Sequence, residues 1–75
     1  PELARRAGIE GQVVVKALVE IDGSVIDAEI LKSSGNQLLD EAAIKAAYRA
    51  KFTPARQRDK PVRVPVSVPY RFTLQ

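Results

Sequence analysis

The stretch Pro61-Val62-Arg63-Val64-Pro65-Val66-Ser67-Val68-Pro69-Tyr70-Arg71-Phe72-Thr73-Leu74 decides the fold. Val62, Val64, Val66, Val68, Tyr70, Phe72 and Leu74 fall on one face, and Pro61, Arg63, Pro65, Ser67, Pro69, Arg71 and Thr73 on the other. A two-residue period this long predicts a strand over 62–74 with one buried and one wet face. The prolines add a direction. Within a strand the N–H and C=O of one residue point to the same edge, and those of the next residue to the opposite edge. Pro61, Pro65 and Pro69 therefore strip donors from a single edge and leave the other complete. Sheets accept proline where the missing N–H faces solvent. The strand is expected at the sheet border, complete edge inward, with an outer edge to which another chain can be added.

Upstream, residues 12–21 read as a first strand. Val13, Val15, Ala17, Val19 and Ile21 share one face, and Gln12, Lys16 and Glu20 the other. Asp22-Gly23 signals a hairpin, since glycine takes the positive φ that such turns require. The second strand returns over 24–32 with Ile26, Ala28 and Ile30 on one face. Ser33-Ser34-Gly35-Asn36 breaks the pattern, with Asn36 as helix N-cap. A helix follows over 37–51, its apolar stripe formed by Leu39, Ala43, Ala46 and Ala50 with Leu38 and Ala42 beside it. Asp40 and Glu41 near its start and Lys45, Arg49 and Lys51 towards its end suit the macrodipole. Residues 55–60 read as a basic loop, and 2–7 as a short N-terminal helix ended by Gly8. The expected fold class is α+β: a short N-terminal helix and an antiparallel three-stranded sheet, with the longer helix packed on one face.

The chain has 75 residues, 45% hydrophobic and 28% charged, which suits one small globular domain over 1–75. A chain this short buries only about 60% of its unfolded surface. No apolar run approaches the roughly 20 residues of a membrane helix. Because the chain opens on Pro1, it is expected to be a fragment of a longer, membrane-anchored protein. Without cysteine there is no disulfide or thiolate metal site, and without histidine the commonest general base is missing.

The remaining chemistry is sparse. Ser33 and Ser34 have no base near them in sequence and read as turn and capping residues. The acidic pairs Asp27/Glu29 and Asp40/Glu41 read as solvated charges, and the scattered glycines form no phosphate loop. No enzyme activity and no cofactor are expected. Arg56, Arg58, Lys60, Arg63 and Arg71 could form a basic stripe for nucleic acid, but Tyr70 and Phe72 share the valine face and should be buried. Tyr48 is then the one ring expected to be exposed. The simpler reading is that the arginines keep a small domain soluble or meet an acidic protein segment.

Six motifs in register cover essentially the whole chain. They are Ile9-Glu10-Gly11-Gln12-Val13, Asp22-Gly23-Ser24-Val25, Ile30-Leu31-Lys32-Ser33-Ser34-Gly35-Asn36 leading into Leu39-Asp40-Glu41-Ala42-Ala43, Phe52-Thr53-Pro54-Ala55, Pro61-Val62-Arg63-Val64 and Val68-Pro69-Tyr70-Arg71-Phe72. In that order the chain resembles the C-terminal domain of TonB-family energy transducers. The resemblance implies a periplasmic domain tethered to an inner-membrane helix that works with a proton-driven ExbB–ExbD motor. It implies that the domain grips the Ton box of outer-membrane transporters, which adds as a strand beside the last strand. Carried over, the docking residues are Arg63, Val64, Pro65, Val66, Ser67, Val68, Pro69, Tyr70 and Arg71, acting mainly through the backbone. Two departures stand out. Ala50 occupies a position where many relatives carry tryptophan, and Pro65 interrupts the docking edge, so weak affinity is expected. The alternatives are a TonB-like domain in another setting, such as a TolA-like envelope protein or a sensory receptor, and a small basic nucleic-acid binder. A strand-swapped homodimer is a further expectation for a short hairpin-rich chain.

Overall fold

A computed structural model describes residues 2–3, 8 and 10–73. The expected N-terminal helix falls mostly outside these residues, as does Leu74. The elements are β1 (Gly11–Val19), β2 (Val25–Lys32), α1 (Gln37–Arg49), β3 (Ala55–Gln57), β4 (Lys60–Val62) and β5 (Val64–Phe72). β2, β1 and β5 form one antiparallel sheet in that order, and β3 with β4 forms a separate two-stranded ribbon. The class is α+β, and β5 lies at the border as its prolines require.

The alternation of β1 places Val13, Val15, Ala17 and Val19 on the face beneath α1, all buried. α1 packs across β1 and β2 and touches β5 only marginally. Its buried row is Leu39, Ala43 and Ala47, rather than the Leu39, Ala43, Ala46, Ala50 stripe read from the sequence. A row in steps of four drifts about 40° round the helix per step, so the buried face turns away from Ala46, which sits about 100° round from Ala47. Alanine in this row lets α1 lie close to the sheet. The helix also ends at Arg49, two residues early, because Ala50 is extended and Lys51 bridges to Ser24.

The entry to α1 is held by side chains. Asn36 accepts from the N–H groups of Leu38 (2.9 Å) and Leu39 (3.3 Å), as an N-cap does. Asp40 accepts from the Ser33 hydroxyl, and from the Ser34 N–H (2.9 Å) and hydroxyl (2.7 Å). Those hydrogen bonds, led by that of Ser33, hold its carboxyl below the ordinary 3.8. Both serines are thus committed to this junction.

The first hairpin turns through Ile21, Asp22 and Gly23. Gly23 N–H donates to the Glu20 carbonyl (2.9 Å), Glu20 N–H donates to that of Ser24 (2.8 Å), and Gly23 has φ +88°. Ile21 therefore leaves the strand face assigned to it and stands 52% exposed. On β2 the register slips twice, so Ile26 and Leu31 have no partner on β1. These bulges turn Ile26 outward and bring Val25 into the core, correcting the face read from simple alternation.

Residues 55–60 are not a loop. β3 and β4 are joined by Arg58 and Asp59, with φ 53° and 65°, the geometry of a type I′ turn. Arg56 Nη1 donates to the Asp59 carbonyl (2.8 Å) across it. The long alternation from Val62 is accordingly divided at Arg63, where the chain changes partner from β3 to β1.

Candidate strand-docking edge

β5 runs opposite β1 from Val64 against Val19 to Phe72 against Gly11, with no slip in register. A proline cannot donate, so the pairs exchanging hydrogen bonds across this ladder are those of the even-numbered β5 residues. Pro65, Ser67, Pro69 and Arg71 consequently turn their main-chain groups away from β1. All four are exposed. Val64, Val66, Val68, Tyr70 and Phe72 face the α1 side and are half-buried, because α1 leaves most of β5 uncovered. Sequence reasoning expected Tyr70 and Phe72 to be buried; they instead pack at the margin of the core. Partial burial raises the Tyr70 hydroxyl above its ordinary 10.0.

Arg63 stands apart from the other eight expected docking residues. It lies outside β5, and its guanidinium grips Glu20 through Nε–Oε1 (3.1 Å) and Nη2–Oε2 (2.8 Å). That fork, together with the Ile21 N–H, lowers the Glu20 carboxyl below 4.5. The contact pins the hairpin turn to the start of β5. Nothing local in the sequence announces it, since the partners are 43 positions apart.

The opposite border, β2, is managed differently. Its two bulges twist the edge, and Ala28 N–H donates to the Tyr48 hydroxyl (3.2 Å) from α1. This N–H points away from β1, which agrees with the direction deduced for β5. Tyr48 is 47% exposed as expected, but its hydroxyl guards an edge. Replacing Tyr48 with phenylalanine should speed amide exchange at Ala28 severalfold and cost about 1 kcal/mol or less, as water replaces the phenol. Hydrogen exchange read by NMR checks this; an unchanged Ala28 rate would remove the guarding role.

Among the described residues, the basic side chains read as a stripe are scattered. Arg56, Arg58 and Lys60 sit on the β3–β4 ribbon, Arg63 is neutralised by Glu20, and Arg71 lies at the far end of β5. On the outer sheet face Lys16 pairs with Glu29 at 3.7 Å. The aromatic residues of β5 face α1, so the basic residues have no stacking platform on that strand. Among the described residues no acidic cluster could hold a metal, and no helix is long and apolar enough to cross a membrane.

The family of Gram-negative bacterial TonB protein C-terminal domains matches residues 1–74. Protein tonB2 of Pseudomonas aeruginosa is 45% identical over 74 residues, covering 99% of this chain and 27% of that protein. Protein TonB of Vibrio cholerae is 36% identical over 75 residues, covering 100% of this chain and 31% of that one. The chain thus spans about a quarter to a third of the length of these curated relatives. The solution NMR structure of the Helicobacter pylori TonB C-terminal domain superposes with a TM-score of 0.72 at 31% identity, covering 100% of this chain and 67% of that one.

Proposed function

We propose a function from one premise: this chain belongs to the family of Gram-negative bacterial TonB C-terminal domains, a family of transport energy transducers and not of enzymes. Residues 1–75 are the periplasmic domain of a longer protein anchored in the inner membrane. The domain docks the Ton box of an outer-membrane transporter as an added strand along the outer edge of β5. Force generated by ExbB and ExbD through the rest of the protein then opens the transporter for active uptake. The observation that carries this reading is the contrast between the borders. The β2 edge is bulged and capped by Tyr48, whereas β5 keeps an unbroken register over nine residues, with its alternate, outward-facing residues exposed. An added strand needs an unbulged edge as its template, and β5 supplies it.

An NMR titration with Ton-box peptides tests the reading, with shifts expected along Val64 to Phe72. Ser67→Pro should weaken binding about fivefold or more, since one edge hydrogen bond is worth about 1 kcal/mol net. The inward ladder to β1 is untouched by this substitution, so the fold should survive. Equal affinity of the variant and the parent would rule out strand addition here.

A further inference from the structure

We infer that the outer edge of β5 recognises its partner strand chiefly through that strand's N–H groups, with Pro65 and Pro69 as the residues that impose this. The inference rests on the Ton-box docking proposed above. Four carbonyls face outward, those of Pro65, Ser67, Pro69 and Arg71, but only Ser67 and Arg71 can donate. The edge is therefore rich in acceptors and poor in donors. An added strand, parallel or antiparallel, is asked for an N–H at four alternate positions. It receives a donor at only two of its carbonyls, and the other two remain with water.

Two consequences follow from this asymmetry. The partner must be free of proline at the four positions facing β5, while the intervening positions tolerate it. A second copy of this chain paired antiparallel about Ser67 makes a poor partner. Two β5 edges paired about Ser67 set Pro65 against Pro69 on both sides, and neither member of such a pair can donate. The prolines thus select a foreign strand with complete N–H groups over self-pairing, which protects the exposed border without closing it.

The test is an N-methyl scan of a synthetic nine-residue Ton-box peptide, with each variant titrated against this chain by NMR. Affinity should fall about fivefold or more at four alternate positions and change little at the positions between them. Loss at only two facing positions, or loss without alternation, would overturn the inference while leaving docking intact. If the unmodified peptide does not bind, the docking reading fails and this inference falls with it. A Pro65→Ala/Pro69→Ala variant gives a second readout. It should bind the unmodified peptide roughly 25-fold more tightly, about fivefold for each restored donor, and self-associate in sedimentation. A variant that remains monomeric and binds no tighter than the parent would refute the role given to the prolines.

Discussion

Gly23→Ala should lower the melting temperature by at least about 10 °C, a loss of about 3 kcal/mol or more in a domain of this size. Two effects combine at this position. Gly23 has φ +88°, and an alanine Cβ there would lie 2.1 Å from the Phe52 carbonyl oxygen, a backbone atom. The hairpin turn cannot retreat without losing the hydrogen bond from Phe52 N–H to the Gly23 carbonyl (2.9 Å) and the neighbouring bridge between Ser24 and Lys51. Those contacts anchor the segment that leaves α1 to the β1–β2 turn, so the strain reaches three elements. Gly35→Ala is the control. It has nearly the same φ, +86°, but a Cβ there would meet nothing within 4 Å. Its cost should be about 1 kcal/mol, from backbone conformation alone. Thermal and urea unfolding of both variants would check this, and equal losses would show that the approach to Phe52 is not the cause.

Leu39→Ala comes next in size, with an expected loss of about 3 kcal/mol from lost burial and the cavity left behind. Leu39 is fully buried and is the largest side chain in the cluster with Val13, Val15, Ala43 and Ala47. The smallness of the other helix residues makes the core dependent on it. Its Cδ1 would lie 3.0 Å from a Cβ at Gly11, and Ser34 Cβ would lie 3.1 Å from the same point. Gly11→Ala should therefore destabilise the parent by crowding, but less so once Leu39 is shortened. The double variant should be more stable than additivity predicts by about 0.5–1 kcal/mol. Strict additivity in urea unfolding would mean that Leu39 does not confine Gly11. Gly11 pairs with Phe72, so loosening here also frays one end of the docking strand.

Several elements were legible because their signals are local. Asn36 precedes an apolar helical row and caps it. Asp22-Gly23 closes a hairpin through a positive φ at Gly23, and the valine alternation of β5 marks a strand. The failures are equally specific. Arg58-Asp59 contains neither glycine nor asparagine, so a type I′ turn had no signature and the ribbon read as a loop. Ile26 was placed inward because alternation presumes an unbroken register, and bulges depend on how β2 meets β1. Val62 and Val64 share one alternation yet belong to strands with different partners, a division that no period can record.

For the candidate site the line falls in the same place. The sequence by itself determined which edge of the last strand lacks donors, because proline removes an N–H wherever it stands and the main-chain groups alternate between edges along an unbulged strand. It also determined that the complete edge must face inward, since a proline facing a neighbouring strand would leave a ladder bond unmade. Only the tertiary structure decided that β1 is that neighbour, that α1 leaves the β5 valines half-covered, and that the other border is closed by Tyr48 reaching Ala28. It also decided that the Arg63 side chain reaches Glu20. Those are contacts between residues distant in the chain, set by how elements pack, and a local pattern carries no information about distance in space.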